Sequence, residues 1–220
     1  MELTSPDHQA SVVLDPQHPM GEWWRVLGRP DGGPAWWASF GEKTPAEVLA
    51  GLTDALTAPA PEDPPEVWAV LAERGWTCTE QADGSELAVS PDELAHLTHG
   101  KRFPDDPYPP WRIKVIEAPW ARGPFWEAQL HHTTPAHLLS ALGAALASPE
   151  PVQRGMHDRT AYSAHRNESP LTPEQVVEAH TRRLDAARAR ARAARRAQKF
   201  SAQRTPVPDR PVPVSTARGR

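Results

Sequence analysis

Shifted by 90 residues against itself, the chain aligns GPAWWASFGEKTPAEVLAGLTDALTAPAP (33–61) with GPFWEAQLHHTTPAHLLSALGAALASPEP (123–151), and thirteen of 29 positions are identical without a gap. Upstream, WRVL (24–27) answers WRIK (111–114) and TSPDHQA (4–10) answers VSPDELA (89–95), at slightly smaller offsets that place short insertions in loops. Self-similarity of this kind means one supersecondary unit used twice, so the fold must accommodate the same order of elements in two copies.

Periodicity identifies the elements of the unit. Trp24 and Val26 alternate with Arg25 and Leu27, and Trp36, Ala38 and Phe40 alternate with Trp37 and Ser39, the period of two expected of half-buried strands. Thr44-Pro45 then predicts an N-cap and first helical residue, with Glu47 placed to close a capping box. Val48, Leu49, Leu52 and Leu56 follow at helical spacing, which gives the helix one apolar face to lay on the strands. The second copy repeats this with Thr134-Pro135 and then Leu138, Leu139, Leu142 and Leu146, and each helix ends near a proline, Pro59 or Pro149. Ahead of the second copy, residues 64–75 read as a short helix and 76–92 as a hairpin turning near Asp83-Gly84; the first copy begins too close to Met1 to own such a hairpin. The pattern predicts an α+β fold of two tandem repeats, each of mostly antiparallel strands followed by a helix. Whether the two sheets join stays open at this level.

Charge divides the chain more sharply than its net value of −4 suggests. Residues 1–170 carry −12 and residues 171–220 carry +8, so an acidic body bears a basic tail. Repeat 1 is assigned to 4–61 and repeat 2, with its preceding helix and hairpin, to 62–151. Residues 152–171 lack apolar periodicity and read as a linker. A basic helix is expected over 172–200, opened by a capping box at Thr172-Pro173-Glu174-Gln175 and crowded in its second half by Arg188, Arg192, Arg195, Arg196 and Lys199. The proline-rich end, 201–220, is expected to be disordered.

The Ser-Pro-Asp triplets (5–7 and 90–92), then Trp-Arg, then Gly-Pro-x-Trp, then the Thr-Pro that opens a Leu-rich helix, occur in one order twice. In this the chain resembles the SPDY family of actinobacterial proteins over roughly residues 4–151. The resemblance implies a tandem architecture and no chemistry, because the function of the family is unknown.

Comparison of the copies singles out two tryptophans. Trp24 matches Trp111 and Trp36 matches Trp126, so these four are expected in the core, whereas Trp23 corresponds to Pro110 and Trp37 to Glu127. Neighbouring strand residues point to opposite faces, so Trp23 and Trp37 are expected on the face that the helix leaves uncovered, a place for stacked bases or a protein partner. The alternative is that the other copy, the connector 58–65 or a second chain covers that face. A basic helix with a basic end is the electrostatic footprint of phosphate-backbone binding, and equally of a helix folded back on an acidic body. The residues expected to bind nucleic acid or a partner are therefore Trp23, Trp37, Arg188, Arg192, Arg195, Arg196 and Lys199.

Catalysis is not expected. No phosphate-binding glycine loop and no nucleophile motif occur, and Cys78 has no basic neighbour within three residues. His131 and His132 are adjacent, which on a strand would turn them to opposite faces, so no metal site is expected with His137, and no cofactor. Asp105-Asp106 lies among prolines and reads as a turn. The single cysteine excludes an internal disulfide and suits a reducing cytoplasm, and neither a signal peptide nor a run of eighteen apolar residues is present, so no membrane partner is expected. The expectation is a cytoplasmic, non-enzymatic protein that contacts single-stranded or duplex DNA through its basic arm; the alternative is a protein-interaction or self-assembly module.

Overall fold

The computed structural model describes residues 1–203 except 6, 101–109, 153, 155–160 and 166, and the side chains of 190, 191, 194 and 197–203 are also outside the described set. Asp105-Asp106, the end of the chain from 204 and the side chain of Lys199 thus lie outside the described residues.

Repeat 1 comprises β1 (Glu2–Thr4), β2 (Ala10–Leu14), β3 (Trp24–Gly28), β4 (Trp36–Phe40) and α1 (Ala46–Thr57). Repeat 2 begins with α2 (Val67–Glu73) and β5 (Thr77–Glu80), which have no counterpart in repeat 1, and continues through β6 (Glu86–Val89), β7 (Ala95–His99), β8 (Trp111–Ile116), β9 (Pro124–Leu130) and α3 (Ala136–Leu146). The hairpin expected around Asp83-Gly84 is the β5–β6 pair, with Gly84 at φ +78°. A final helix, α4, runs from Pro173 to Gln203.

The two sheets join. Strand order is β1-β2-β3-β4-β9-β8-β7-β6-β5, antiparallel throughout, and the seam is the pairing of β4 with β9, where Ala38 faces Leu130 and Phe40 faces Ala128. Each repeat therefore covers the exposed edge of the other's last strand, an edge that would otherwise invite pairing with another molecule. The outer edges are the short strands β1 and β5.

The alternating residues define one core. Trp36, Ala38 and Phe40 of β4, Trp126, Ala128 and Leu130 of β9, and Val26 and Ile113 beside them pack under Val48, Leu49 and Leu52 of α1 and Leu138, Leu139 and Leu142 of α3. Of the four tryptophans shared by the repeats, Trp36, Trp111 and Trp126 are buried and Trp24 is half-buried against the same core. The helices α1 and α3 meet through small residues: a Cβ added at Gly51 would lie 2.5 Å from the Cβ of Ala145 and 3.2 Å from the carbonyl oxygen of Ala141. On the far side of α3, Gly143 admits Val67 and Leu71 of α2.

The serine and aspartate of each Ser-Pro-Asp triplet brace a hairpin turn. In the β1–β2 hairpin Ser5 Oγ donates to Asp7 Oδ1 (2.6 Å), while Gln9 N donates to the same carboxylate oxygen (3.1 Å) and Ala10 N to Ser5 Oγ (2.9 Å). The β6–β7 hairpin repeats the set with Ser90, Asp92, Leu94 and Ala95 at 2.5, 3.2 and 2.9 Å. The residue after each aspartate has positive φ, 58° at His8 and 62° at Glu93, which the side-chain bonds hold in place.

One of the two expected capping boxes does not form, and neither Thr44 nor Thr134 is the N-cap it was expected to be. The N-cap residues of α1 and α3 are Pro45 and Pro135, without a side-chain cap, so each preceding threonine sits one position too early to cap. Thr134 Oγ1 donates backward to the His131 carbonyl (2.7 Å), and Glu47 is drawn instead into a bidentate pair with Arg154 (3.0 Å for both bonds). The other box does form: Thr172 N donates to Gln175 Oε1 (2.9 Å) and Gln175 N to Thr172 Oγ1 (3.4 Å).

Candidate binding surfaces

Because α1, α2 and α3 pack on one side, the other face of the sheet has no helical layer among the described residues. The connector 58–65 does not cover it: Pro59, Pro61 and Pro65 lie against α3, and Ser140 Oγ of α3 donates to the Pro65 carbonyl. Nor do the described residues of the second repeat, whose strands extend the same sheet sideways.

Trp37 is on this face, 37% exposed, opposite Leu27 on β3, itself 38% exposed. Its carbonyl accepts from His131 N (2.8 Å), and the His131 ring lies 6.1 Å from the indole. Trp23 is half-buried in the turn ahead of β3, where its carbonyl accepts from Asp15 N (2.8 Å). Trp24 is level with Phe40 and Leu27 with Trp37, so Trp23 and Trp37 stand at opposite ends of the β3–β4 pair, four positions or about 13 Å apart. They share a face without forming an adjacent pair of rings.

His131 and His132 do not diverge as strand neighbours would. β9 ends at Leu130, so strand alternation no longer governs them, and in the turn their rings approach to 4.1 Å. Burial, and then the neighbouring His132, lowers the pKa of His131; burial lowers that of His137 on α3. Among the described residues no three His, Cys, Asp or Glu side chains gather as a metal site. Cys78 is exposed at the outer strand β5, and partial burial raises its thiol pKa, away from the reactive thiolate.

The centre of the open face carries a feature the tryptophan comparison did not single out. Each Trp-Arg dipeptide sends its tryptophan into the core and its arginine to the open side. Arg25, Ser39, Gln129 and Arg112 then follow one another in a single row across β3, β4, β9 and β8. The joined sheet brings the two arginines toward the seam, which neither repeat alone reveals. A cleft of about 540 Å³ opens there, lined by Ser39, Arg112 and Gln129 and also by Lys43, Glu22, Glu42 and Glu127. Three carboxylates among the lining groups make it a mixed rather than a cationic surface.

The cationic surface is α4. Val177 and Leu184 are 65% and 40% exposed, so the helix contributes little burial, in keeping with its few large apolar residues. Arg183 is its anchor, donating from Nε (3.3 Å) and Nη2 (3.1 Å) to Asp54 Oδ2 on α1. Arg188, Arg192 and Arg196 recur every four residues, and at roughly 100° per residue they lie about 140–220° around the helix from Arg183. All three are exposed, as is Arg195, and only Arg188 has a described ionic partner, Asp185 at 3.2 Å. With Arg183 turned to α1, the three-arginine stripe faces away from the body.

Among the described residues no helix is long and apolar enough to cross a membrane. The family model SPDY, a domain of unknown function (DUF317), matches residues 4–62 and 89–152. No curated protein matches the chain, and no solved structure does.

Proposed function

The chain belongs to the SPDY family, and from that premise we propose that it is a cytoplasmic, non-enzymatic nucleic-acid-binding protein whose two-repeat body carries α4 as a phosphate-contacting arm. The observation that supports this reading is the outward stripe of Arg188, Arg192 and Arg196 on a helix anchored by Arg183 on its other side. Phosphate-backbone binding needs positive charge displayed along a line and no buried pocket, and the stripe supplies it. Arg195 and Lys199 add charge to the same half of the helix. Trp37, with Leu27 beside it, offers a stacking ring to an unpaired base; Trp23, half-buried at the far end of the strand pair, is the weaker platform.

The test is fluorescence-polarisation titration of labelled single-stranded and duplex DNA with the whole chain. The expected result is binding to both, weakened by Arg188→Gln, Arg192→Gln and Arg196→Gln together. Trp37→Ala is expected to weaken the single strand selectively, by about 1–3 kcal/mol if a base stacks on it. Absence of binding to either DNA at low salt refutes the reading.

A second reading, self-assembly, is favoured by one observation. Asp54 on α1 already accepts Arg183 of the arm, and a second molecule's arm offers the same arginine. In that case mass measured by light scattering falls toward the monomer as salt rises.

A further inference from the structure

Two carboxylates on α1, Glu47 and Asp54, are seven residues apart and so lie on one side of the helix, about 10 Å from each other along its axis. Both are occupied by arginines from the carboxyl-terminal part of the chain: Glu47 holds Arg154 in a bidentate pair and Asp54 holds Arg183. The opposite side of α1 is apolar and buried through Val48, Leu49 and Leu52. Repeat 2 lacks the arrangement, because the positions that match Glu47 and Asp54 are His137 and Ala144. On α3 that side is lined by the proline connector, in an apolar groove with Pro65 and Ala141. The two repeats have thus specialised the same helix differently, one flank apolar and covered by the connector, the other acidic and covered by basic chain.

We infer that the carboxylate side of α1 is a docking surface for the chain's own basic arm, and that Asp54 competes with nucleic-acid phosphate for Arg183. This rests on the nucleic-acid reading of α4. Like a phosphate, Asp54 presents an anionic oxygen to two guanidinium N–H groups, so Arg183 cannot serve both at once. The stripe of Arg188, Arg192 and Arg196 remains outward while the arm is docked, so docking withholds part of the arm's charge and leaves the rest available for a first encounter.

The experiment compares the full chain with Asp54→Asn and with Glu62→Gln, a control that removes one carboxylate from the exposed connector. Duplex DNA affinity is measured across a salt series, and amide hydrogen exchange is followed in α4. Freeing Arg183 adds about one phosphate contact, so Asp54→Asn is expected to bind about two- to fivefold more tightly. Its plot of log K against log salt steepens by about 0.9, while the control leaves the slope unchanged. Exchange in α4 accelerates in Asp54→Asn and is restored when Asp54→Arg is combined with Arg183→Asp. Equal affinity changes in Asp54→Asn and Glu62→Gln, with neither slope altered, overturn the competition. If the whole chain binds no DNA at the lowest salt, the nucleic-acid reading and the competition fall together, and exchange alone decides docking. Unchanged exchange in Asp54→Asn then overturns the docking surface as well.

Discussion

Replacing Gly28 by alanine tests how the first repeat fits its tryptophan into the core. A Cβ built on Gly28 falls 2.1 Å from Cε2 and Nε1 of Trp36 and 2.6 Å from Cζ2, where ordinary carbon contacts are about 3.5–4.0 Å. The indole cannot yield easily, because Trp36 is 4% exposed and packs within the common core. Nor is φ at Gly28 in the left-handed region, so the glycine is there for space. Overpacking ordinarily costs about 1–3 kcal/mol, and dislodging a buried tryptophan approaches the loss of about 3–5 kcal/mol seen when such rings are removed. The expected destabilisation is about 3 kcal/mol, or roughly 6–12 °C in the melting temperature for a body of this size. Gly123 is the control: nothing lies within 4 Å of its added Cβ and its φ is not left-handed. Gly123→Ala should therefore stabilise by about 0.4–1 kcal/mol through the unfolded chain. Both variants are read by chemical denaturation and thermal melting followed by tryptophan fluorescence. Equal melting temperatures for Gly28→Ala and the natural chain would refute the packing of Trp36 over Gly28.

Other expectations follow from the same geometry. Gly51→Ala forces α1 from α3, since two backbone-fixed Cβ atoms would stand 2.5 Å apart; the helix-propensity gain of about 1 kcal/mol offsets part of the strain, and a net loss of about 1 kcal/mol is expected in denaturant titration. Ser90→Ala leaves Ala95 N without its side-chain acceptor in a partly buried turn and should cost about 1–2 kcal/mol, with Ser5→Ala in the more exposed copy costing less. Asp7 has a folded pKa below 3.8, so its carboxylate contributes stability that is present above about pH 4 and lost as pH falls through the lowered value. A carboxyl titration by NMR should place the Asp7 midpoint below that of an unstructured peptide, and Ser5→Ala should raise it.

Much of this was legible in the sequence, and the physical reason differs by residue. Alternation along Trp36, Ala38 and Phe40 reports burial directly, because a strand in a two-layer fold has one wet and one dry side. The box at Thr172 and Gln175 was legible because its bonds span three residues. The seam was not, since antiparallel pairing of Ala38 with Leu130 joins positions whose local pattern is the same whether the strands meet or not. Thr44 and Thr134 carry the capping signature, but a proline after each takes the N-cap position and shifts the helix start by one residue. The divergence expected of His131 and His132 fails because the strand stops one residue earlier. The cross-sheet row of Arg25 and Arg112, and the anchoring of Arg183 by Asp54, depend on contacts between residues far apart in the chain, which no local pattern records.

The measurement that bears most directly on nucleic-acid binding is the salt dependence of duplex affinity for the natural chain against the variant carrying Arg188→Gln, Arg192→Gln and Arg196→Gln. If the outward stripe contacts phosphates, the slope of log K against log salt is shallower in the variant by up to about 2.7, about 0.9 for each lost contact. Parallel lines for the two proteins would mean that the stripe touches no phosphate, and the account of α4 as a nucleic-acid arm would be contradicted.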